Sequence, residues 1–135
     1  FHEDAKADCY EEINIVNGKN DLLKKRLVNL LEKKKRYLDP DLKITDMCRE
    51  LNTNRTYLSN LINREFNLSF NDLINRYRTE HAVLLLENNK NNYSLQVIAT
   101  DSGFGSLSSI NRAFKKNTGT TVTTFKAKNL QKELN

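Results

Sequence analysis

Gly103-Phe104-Gly105-Ser106-Leu107-Ser108-Ser109-Ile110-Asn111-Arg112-Ala113-Phe114-Lys115-Lys116-Asn117-Thr118-Gly119-Thr120-Thr121 is the stretch whose reading decides the fold. Gly103 supplies a turn, Ser106 a helix cap, and Ile110, Ala113 and Phe114 recur at the spacing of one buried helical face. The same pattern stands earlier in the chain. Sliding the sequence on itself brings Met47-Cys48 onto Ile98-Ala99 and, with one extra residue in the second turn, Leu58, Leu61 and Ile62 onto Ile110, Ala113 and Phe114. Arg64 then falls on Lys116, Asn67 on Gly119 and Ser69 on Thr121. The chain therefore contains one unit twice. Asn and Gly best tolerate positive φ, so both copies are predicted to end their second helix in a left-handed cap, at Asn67 and Gly119.

Outward from the repeat, each copy reads as helix, short turn, helix. Thr45 starts a short helix carrying Met47, Cys48 and Leu51 inward, Asn52-Thr53-Asn54 breaks it, and a second helix from Arg55 buries Leu58, Leu61, Ile62 and Phe66. Ser94 caps the corresponding short helix with Leu95, Ile98 and Ala99. Between the copies, Phe70, Leu73, Ile74, Tyr77, His81, Leu84 and Leu85 stand at helical spacing, widened by Ala82 and Leu86; this predicts a long helix over 70–87, packed on two sides and ended by the polar run Asn88 to Asn92. An N-terminal helix over 21–36, capped by Asp21, carries Leu23, Leu27, Leu30 and Leu31 and stops before Asp39-Pro40. With four glycines and one proline in 135 residues, the class is all-α: two helix-turn-helix units joined by a long connecting helix, plus the N-terminal helix. The expected organisation is a polar leader over 1–20 broken at Asn17-Gly18-Lys19-Asn20, a domain over 21–126 (first unit about 43–66, second about 94–116), and a C-terminal tail over 127–135.

Charge narrows the function. Lys and Arg number 22 against 17 Asp and Glu, a net charge of +5, which favours an anionic partner. Acidic residues gather in the leader (Glu3, Asp4, Asp8, Glu11, Glu12, Asp21), and basic ones in Lys24 to Arg26, Lys33 to Arg36, and Arg112, Lys115, Lys116, Lys126 and Lys128. Cys9 and Cys48 stand in unrelated contexts, so no disulfide, metal site or cofactor is expected, and a reducing, cytoplasmic location fits. No apolar run is long enough to span a bilayer. The chain starts at Phe1, and a sensing or dimerisation part is expected outside this segment, in a cytosolic or membrane-tethered parent. His2 and His81 are isolated and no nucleophile, base or metal set is assembled, so an enzyme is not expected.

Over about residues 43–126 the chain resembles the arabinose-regulator (AraC/XylS) type of bacterial transcription factors. The quoted 103–121 stretch carries the second-half signature. Arg55-Thr56-Tyr57-Leu58-Ser59 followed by Ser69-Phe70 carries the first, with Arg78 and Ala82 as the connecting-helix arginine and alanine. Val122 stands where the family usually has proline, Ile110 where it has phenylalanine, Asn67 for glycine, and Phe125-Lys126 for Tyr-Arg. The resemblance implies two recognition helices in successive major-groove segments of double-stranded DNA, an N-terminal helix packed on the first unit, and transcription regulation, most often activation, through RNA polymerase.

A recognition helix commits one face to its core, so subtracting the core positions leaves its outward set. Arg55, Thr56, Ser59, Asn60 and Asn63 remain in the first helix, and Leu107, Ser108, Asn111, Arg112 and Lys115 in the second. Arg can bridge guanine O6 and N7, Asn can bridge adenine N6 and N7, and Leu107 can press on a thymine methyl, so Arg55, Thr56, Ser59, Asn60, Leu107, Ser108, Asn111 and Arg112 are the candidate base contacts. Arg64, Lys115 and Lys116, with helix starts capped by Thr45 and Ser94, are the candidate phosphate contacts. Arg78 reads as a structural tie through carboxylates or helix C-termini, and His81 as a core residue of the connecting helix. The module itself is expected to be monomeric, since its apolar stripes are used internally. The competing class is a helical protein-interaction module with a basic surface; polar rather than apolar faces opposite the core argue against it.

Overall fold

Cap chemistry sets where the helices begin. The computed structural model describes residue 18, residues 20–88 and residues 92–134, with the backbone alone for 132–134. After α1 (residues 20–32) come a 3₁₀ turn Arg36–Leu38, α2 (Ile44–Leu51), α3 (Arg55–Phe66), α4 (Phe70–Glu87), α5 (Leu95–Asp101), α6 (Leu107–Thr118) and α7 (Val122–Leu134). The side chains of Asn54, Ser69, Ser94, Ser106 and Thr121 accept from the backbone N–H of Tyr57, Asp72, Val97, Ser109 and Thr124, so five of the described helices start on a side-chain cap. The chain is all-α as read from its sequence, with two helix-turn-helix units, α2–α3 and α5–α6, on either side of the connecting helix α4. The second helix of each unit closes in the left-handed region, Asn67 at φ 56° and Gly119 at φ 83°, the shared backbone requirement that the repeat predicted.

Three local expectations need correction. Thr45 is no cap. Lys43 holds that position, and its N–H donates to the Asp46 carboxylate at 2.9 Å, so α2 starts one residue early and Thr45 lies exposed in its first turn. Asp21 likewise lies inside α1, and that helix ends at 32 rather than 36. The N–H groups of Lys33 and Lys34 both reach the Asn29 carbonyl and Lys35 turns left-handed at φ 51°. A left-handed lysine costs about 1–2 kcal/mol, and the turn it makes lets Tyr37 bury against α4, its ring stacked on Tyr77 at 5.6 Å between centroids. Residues 127–134, expected as a tail, continue α7; Val122, in the place where the resemblance implies proline, is fully buried at its start. The leader before residue 18, Cys9, His2 and the middle of the run Asn88 to Asn92 lie outside the described residues.

The apolar residues form two cores that share only α4. Leu27 and Leu31 of α1, Met47 of α2, and Leu58, Leu61 and Ile62 of α3 meet Phe70, Leu73 and Ile74 in its first half. Ala82 and Leu86 in its second half meet Ile98, Phe104, Ile110, Phe114 and Val122. α1 thus packs on the first unit as expected. The predicted stripe of α4 overreaches at one position: Leu84 is 57% exposed, whereas Leu86 is buried. At about 100° per residue, Leu84 falls on the same side as Leu73 and Tyr77, but it lies beyond His81, whose ring meets Tyr37 edge-on, so the first unit no longer covers that face.

Candidate nucleic-acid interface

Apart from Ser59, the outward set on the second helix of each unit is exposed. In α3, Arg55, Thr56, Asn60 and Asn63 are exposed and Ser59 is half-buried; in α6, Leu107, Ser108, Asn111, Arg112 and Lys115 are exposed. Leu107 leaves 39% of its surface in solvent, an apolar tip at the start of a polar helix. Among the described residues, the side chains of Arg55, Asn60, Asn111, Arg112 and Lys115 are not spent on a hydrogen bond or ion pair within the chain. Their donors and acceptors are available to an external ligand, which is what base reading requires.

The backs of both helices are tied to the helix that supports them. Lys24 of α1 donates to Glu65 of α3 at 3.1 Å, and this contact holds the Glu65 carboxyl below its ordinary range. Asn117 of α6 reaches the Thr79 hydroxyl of α4 at 3.4 Å while also donating to the Ala113 carbonyl. Asn117 falls on Glu65 in the repeat, so α1 braces α3 as α4 braces α6. Tyr57, omitted from the sequence-derived set, is 37% exposed beside Thr56 and its hydroxyl meets Asn20 of α1. Its position at the edge of the outward arc of α3 was the available signal.

The candidate phosphate residues differ in freedom. Lys115 is unpaired, Arg64 lies 3.6 Å from the neighbouring Glu65, and Lys116 donates to Asp72 of α4 at 2.9 Å. The hydrogen bond from Lys116 keeps the Asp72 carboxyl below its ordinary value. Ser94 caps α5 as predicted, so its hydroxyl already has a backbone N–H to accept from. Thr45 is the second residue of α2 and not its cap.

Arg78 is half-buried in α4, and as a structural tie it reaches the main-chain carbonyls at the C-terminal end of the 3₁₀ turn. Nε donates to the Tyr37 carbonyl at 2.7 Å and one terminal nitrogen to the Asp39 carbonyl at 2.8 Å, with a longer contact to Asn75. Burial pushes its pKa below the ordinary arginine value, and the Asp39 carboxylate offsets part of this. His81 is half-buried one turn on, its pKa lowered by burial and by Lys35 and raised again by Asp101.

Two helix-turn-helix units in tandem, each presenting an uncommitted polar face on its second helix, define the class as a DNA-binding module of transcription regulators. The helix-turn-helix domain family matches residues 47–128, more than half of the chain, and the chain belongs to this family in its arabinose-regulator (AraC) type. Among curated relatives it is 31% identical over 85 residues to the Msm operon regulatory protein of Streptococcus mutans, a match covering 63% of this chain and 30% of that protein. The chain thus spans less than a third of that relative. Of the solved structures, a protein of unknown function from Listeria innocua matches with a TM-score of 0.67 at 25% identity, over 76% of this chain and 93% of that one. The C-terminal domain of AraT, a response regulator from Geobacillus stearothermophilus, shares the fold at a TM-score of 0.64 and 24% identity, with 84% of each chain covered. So does the C-terminal domain of the two-component response regulator yesN from Fusobacterium nucleatum, at 0.67 and 24%, over 76% of this chain and 96% of that one. No helix among the described residues is long and apolar enough to cross a membrane.

Proposed function

We propose that this chain binds a specific double-stranded DNA site through α3 and α6 in successive major-groove segments, and so directs transcription, in the sense of activation, from a cytoplasmic regulator whose remaining parts sense a signal. The observation that carries the reading is the pair of equivalent helices whose Arg and Asn side chains, Arg55 and Asn60 in one and Asn111 and Arg112 in the other, are exposed and unpartnered. Base edges are met by these four with Thr56, Ser59, Leu107 and Ser108 beside them; each bidentate contact discriminates by about 1–3 kcal/mol. Phosphates are met by Arg64, Lys115 and Lys116, the last sharing its ammonium with Asp72, and at the starts of α2 and α5 near Thr45 and Ser94. The module acts as a monomer, needs no cofactor and performs no catalytic step, and contact with RNA polymerase belongs to the whole regulator.

Selection of bound duplexes from a random pool at near-physiological salt, with wild type, Arg55→Ala and Arg112→Ala, tests this. The expected result is two short boxes about one helical turn apart, roughly 10 base pairs, each variant relaxing one box. Selection of no motif, with binding that fades uniformly as salt rises, would refute it and favour a basic protein-interaction surface.

A further inference from the structure

The two cores share α4 but do not merge, and on one side a crevice of about 350 Å³ opens between the units, with Pro40 and Leu68 on one wall and Gly105 and Ser109 on the other. No packed core holds the units together there. Besides the Lys116–Asp72 ion pair, what holds them is a small joint. The turn that precedes α6 brings Gly103, at φ 89°, so close to the first unit that a Cβ on it would stand 2.3 Å from the Tyr37 carbonyl oxygen, 2.9 Å from the Leu38 Cα and 3.1 Å from Arg78 Nε. The Tyr37 carbonyl that Gly103 covers is the one Arg78 holds, and the same guanidinium holds the Asp39 carbonyl two residues on. One arginine on the connecting helix thus grips the 36–39 turn of the first unit at the point where the second unit's turn presses on it. A guanidinium fork suits this: it offers several donors in one rigid plane.

We infer that Arg78, with Gly103 seated on the Tyr37 carbonyl, is a positioning device that sets the separation and angle of the two recognition helices, and hence the number of base pairs between the two boxes, without touching DNA. The inference rests on the tandem reading proposed above. One added base pair moves a box by about 3.4 Å and about 35° around the DNA axis, more than base-edge hydrogen bonds tolerate. A rigid joint therefore converts into a sharp spacing preference, and a loosened one into a broad preference, while the bases preferred within each box stay the same.

The test measures affinity for duplexes carrying the two selected boxes with the gap shortened or lengthened by one or two base pairs, for wild type, Arg78→Lys and Gly103→Ala. Lysine keeps the charge but cannot fork across two carbonyls. Wild type is expected to lose about tenfold or more for each base pair of displacement, comparable to a mismatched base. Arg78→Lys is expected to lose about threefold or less, with unaltered base preferences inside each box. Equal weakening of a folded Arg78→Lys at every gap, with the wild-type profile kept, would make Arg78 a stability residue only and overturn the inference. A wild-type profile that is flat over one base pair either way overturns it without any variant. If wild type selects only one box or none, it is the tandem reading that has failed.

Discussion

Gly103→Ala is the substitution whose cost the structure specifies most fully. A methyl group there meets backbone, the Tyr37 carbonyl oxygen at 2.3 Å and the Leu38 Cα at 2.9 Å, so no side-chain rotation relieves it. Left-handed backbone with a Cβ costs about 1–2 kcal/mol, and forcing a methyl into a filled site about 1–3 kcal/mol. Displacing the Tyr37 carbonyl also strains its charge-assisted bond to Arg78, worth about 1.5–3 kcal/mol if lost. A destabilisation of about 3–5 kcal/mol follows if that bond is partly kept. At about 4 °C per kcal/mol for a domain of this size, the melting temperature should fall by about 12–20 °C, read by circular dichroism. Two other glycines separate the contributions. Gly119→Ala, left-handed at φ 83° with nothing within 4 Å of its Cβ, should show the backbone strain alone, about 4–8 °C. Gly105→Ala, also with open space around it, should change little, within about 0.5 kcal/mol. If Gly103→Ala melts within a few degrees of Gly119→Ala, the close approach between the units is wrong.

Two further outcomes test α4. Leu86→Ala removes a side chain only 4% exposed in the second core and should cost about 2–5 kcal/mol, whereas Leu84→Ala, at a position 57% exposed, should cost about 0.5 kcal/mol or less; denaturant midpoints decide, and equal losses would mean that something covers Leu84. His81 gives a pH signature. Burial and Lys35 lower its pKa below the ordinary 6.5 against the opposing pull of Asp101, so the unfolded chain binds its proton first and stability must fall as pH drops from about 6.5 toward the lower folded value. The difference in melting temperature between wild type and His81→Gln, followed from about pH 7.5 to about pH 5, should narrow as pH falls; a constant difference would remove His81 from the account.

Much of this architecture was legible because it is local. The period of Leu58, Leu61 and Ile62, the breaks at 52–54 and Asn67 and the caps Ser94 and Ser106 depend on residues within a turn or two of each other, and the bounds of α3 and α4 were read from such local signals. The outward faces were legible for the same reason, since removing the apolar arc leaves the rest. Two of the misplacements occurred where distant groups decide. α1 stops at 32 because Tyr37 must reach Tyr77, forty residues on in sequence. Leu84 carries the right period, but its exposure depends on how far the first unit extends along α4. Thr45 lost the cap to Lys43 because Asp46 was placed to accept from the backbone there, a competition between two plausible starts one or two residues apart.

The joint was illegible for a different reason. Arg78 was expected to tie onto carboxylates or helix C-termini, and it does hold the end of the 3₁₀ turn, but which end could not be read: its acceptors are the main-chain carbonyls of residues 37 and 39, which every residue type supplies alike. Gly103 was expected to make a turn, and its left-handed φ agrees, but the stronger demand on it is the Tyr37 oxygen resting where a side chain would stand. The candidate base-reading set is therefore written in side-chain identities and the proposed control of spacing in backbone contacts. Under the proposed function, two chains with the same outward residues on α3 and α6 but a different residue at 78 or 103 should recognise the same boxes at different separations. A comparison of recognition helices alone would then predict the boxes correctly and the operator wrongly.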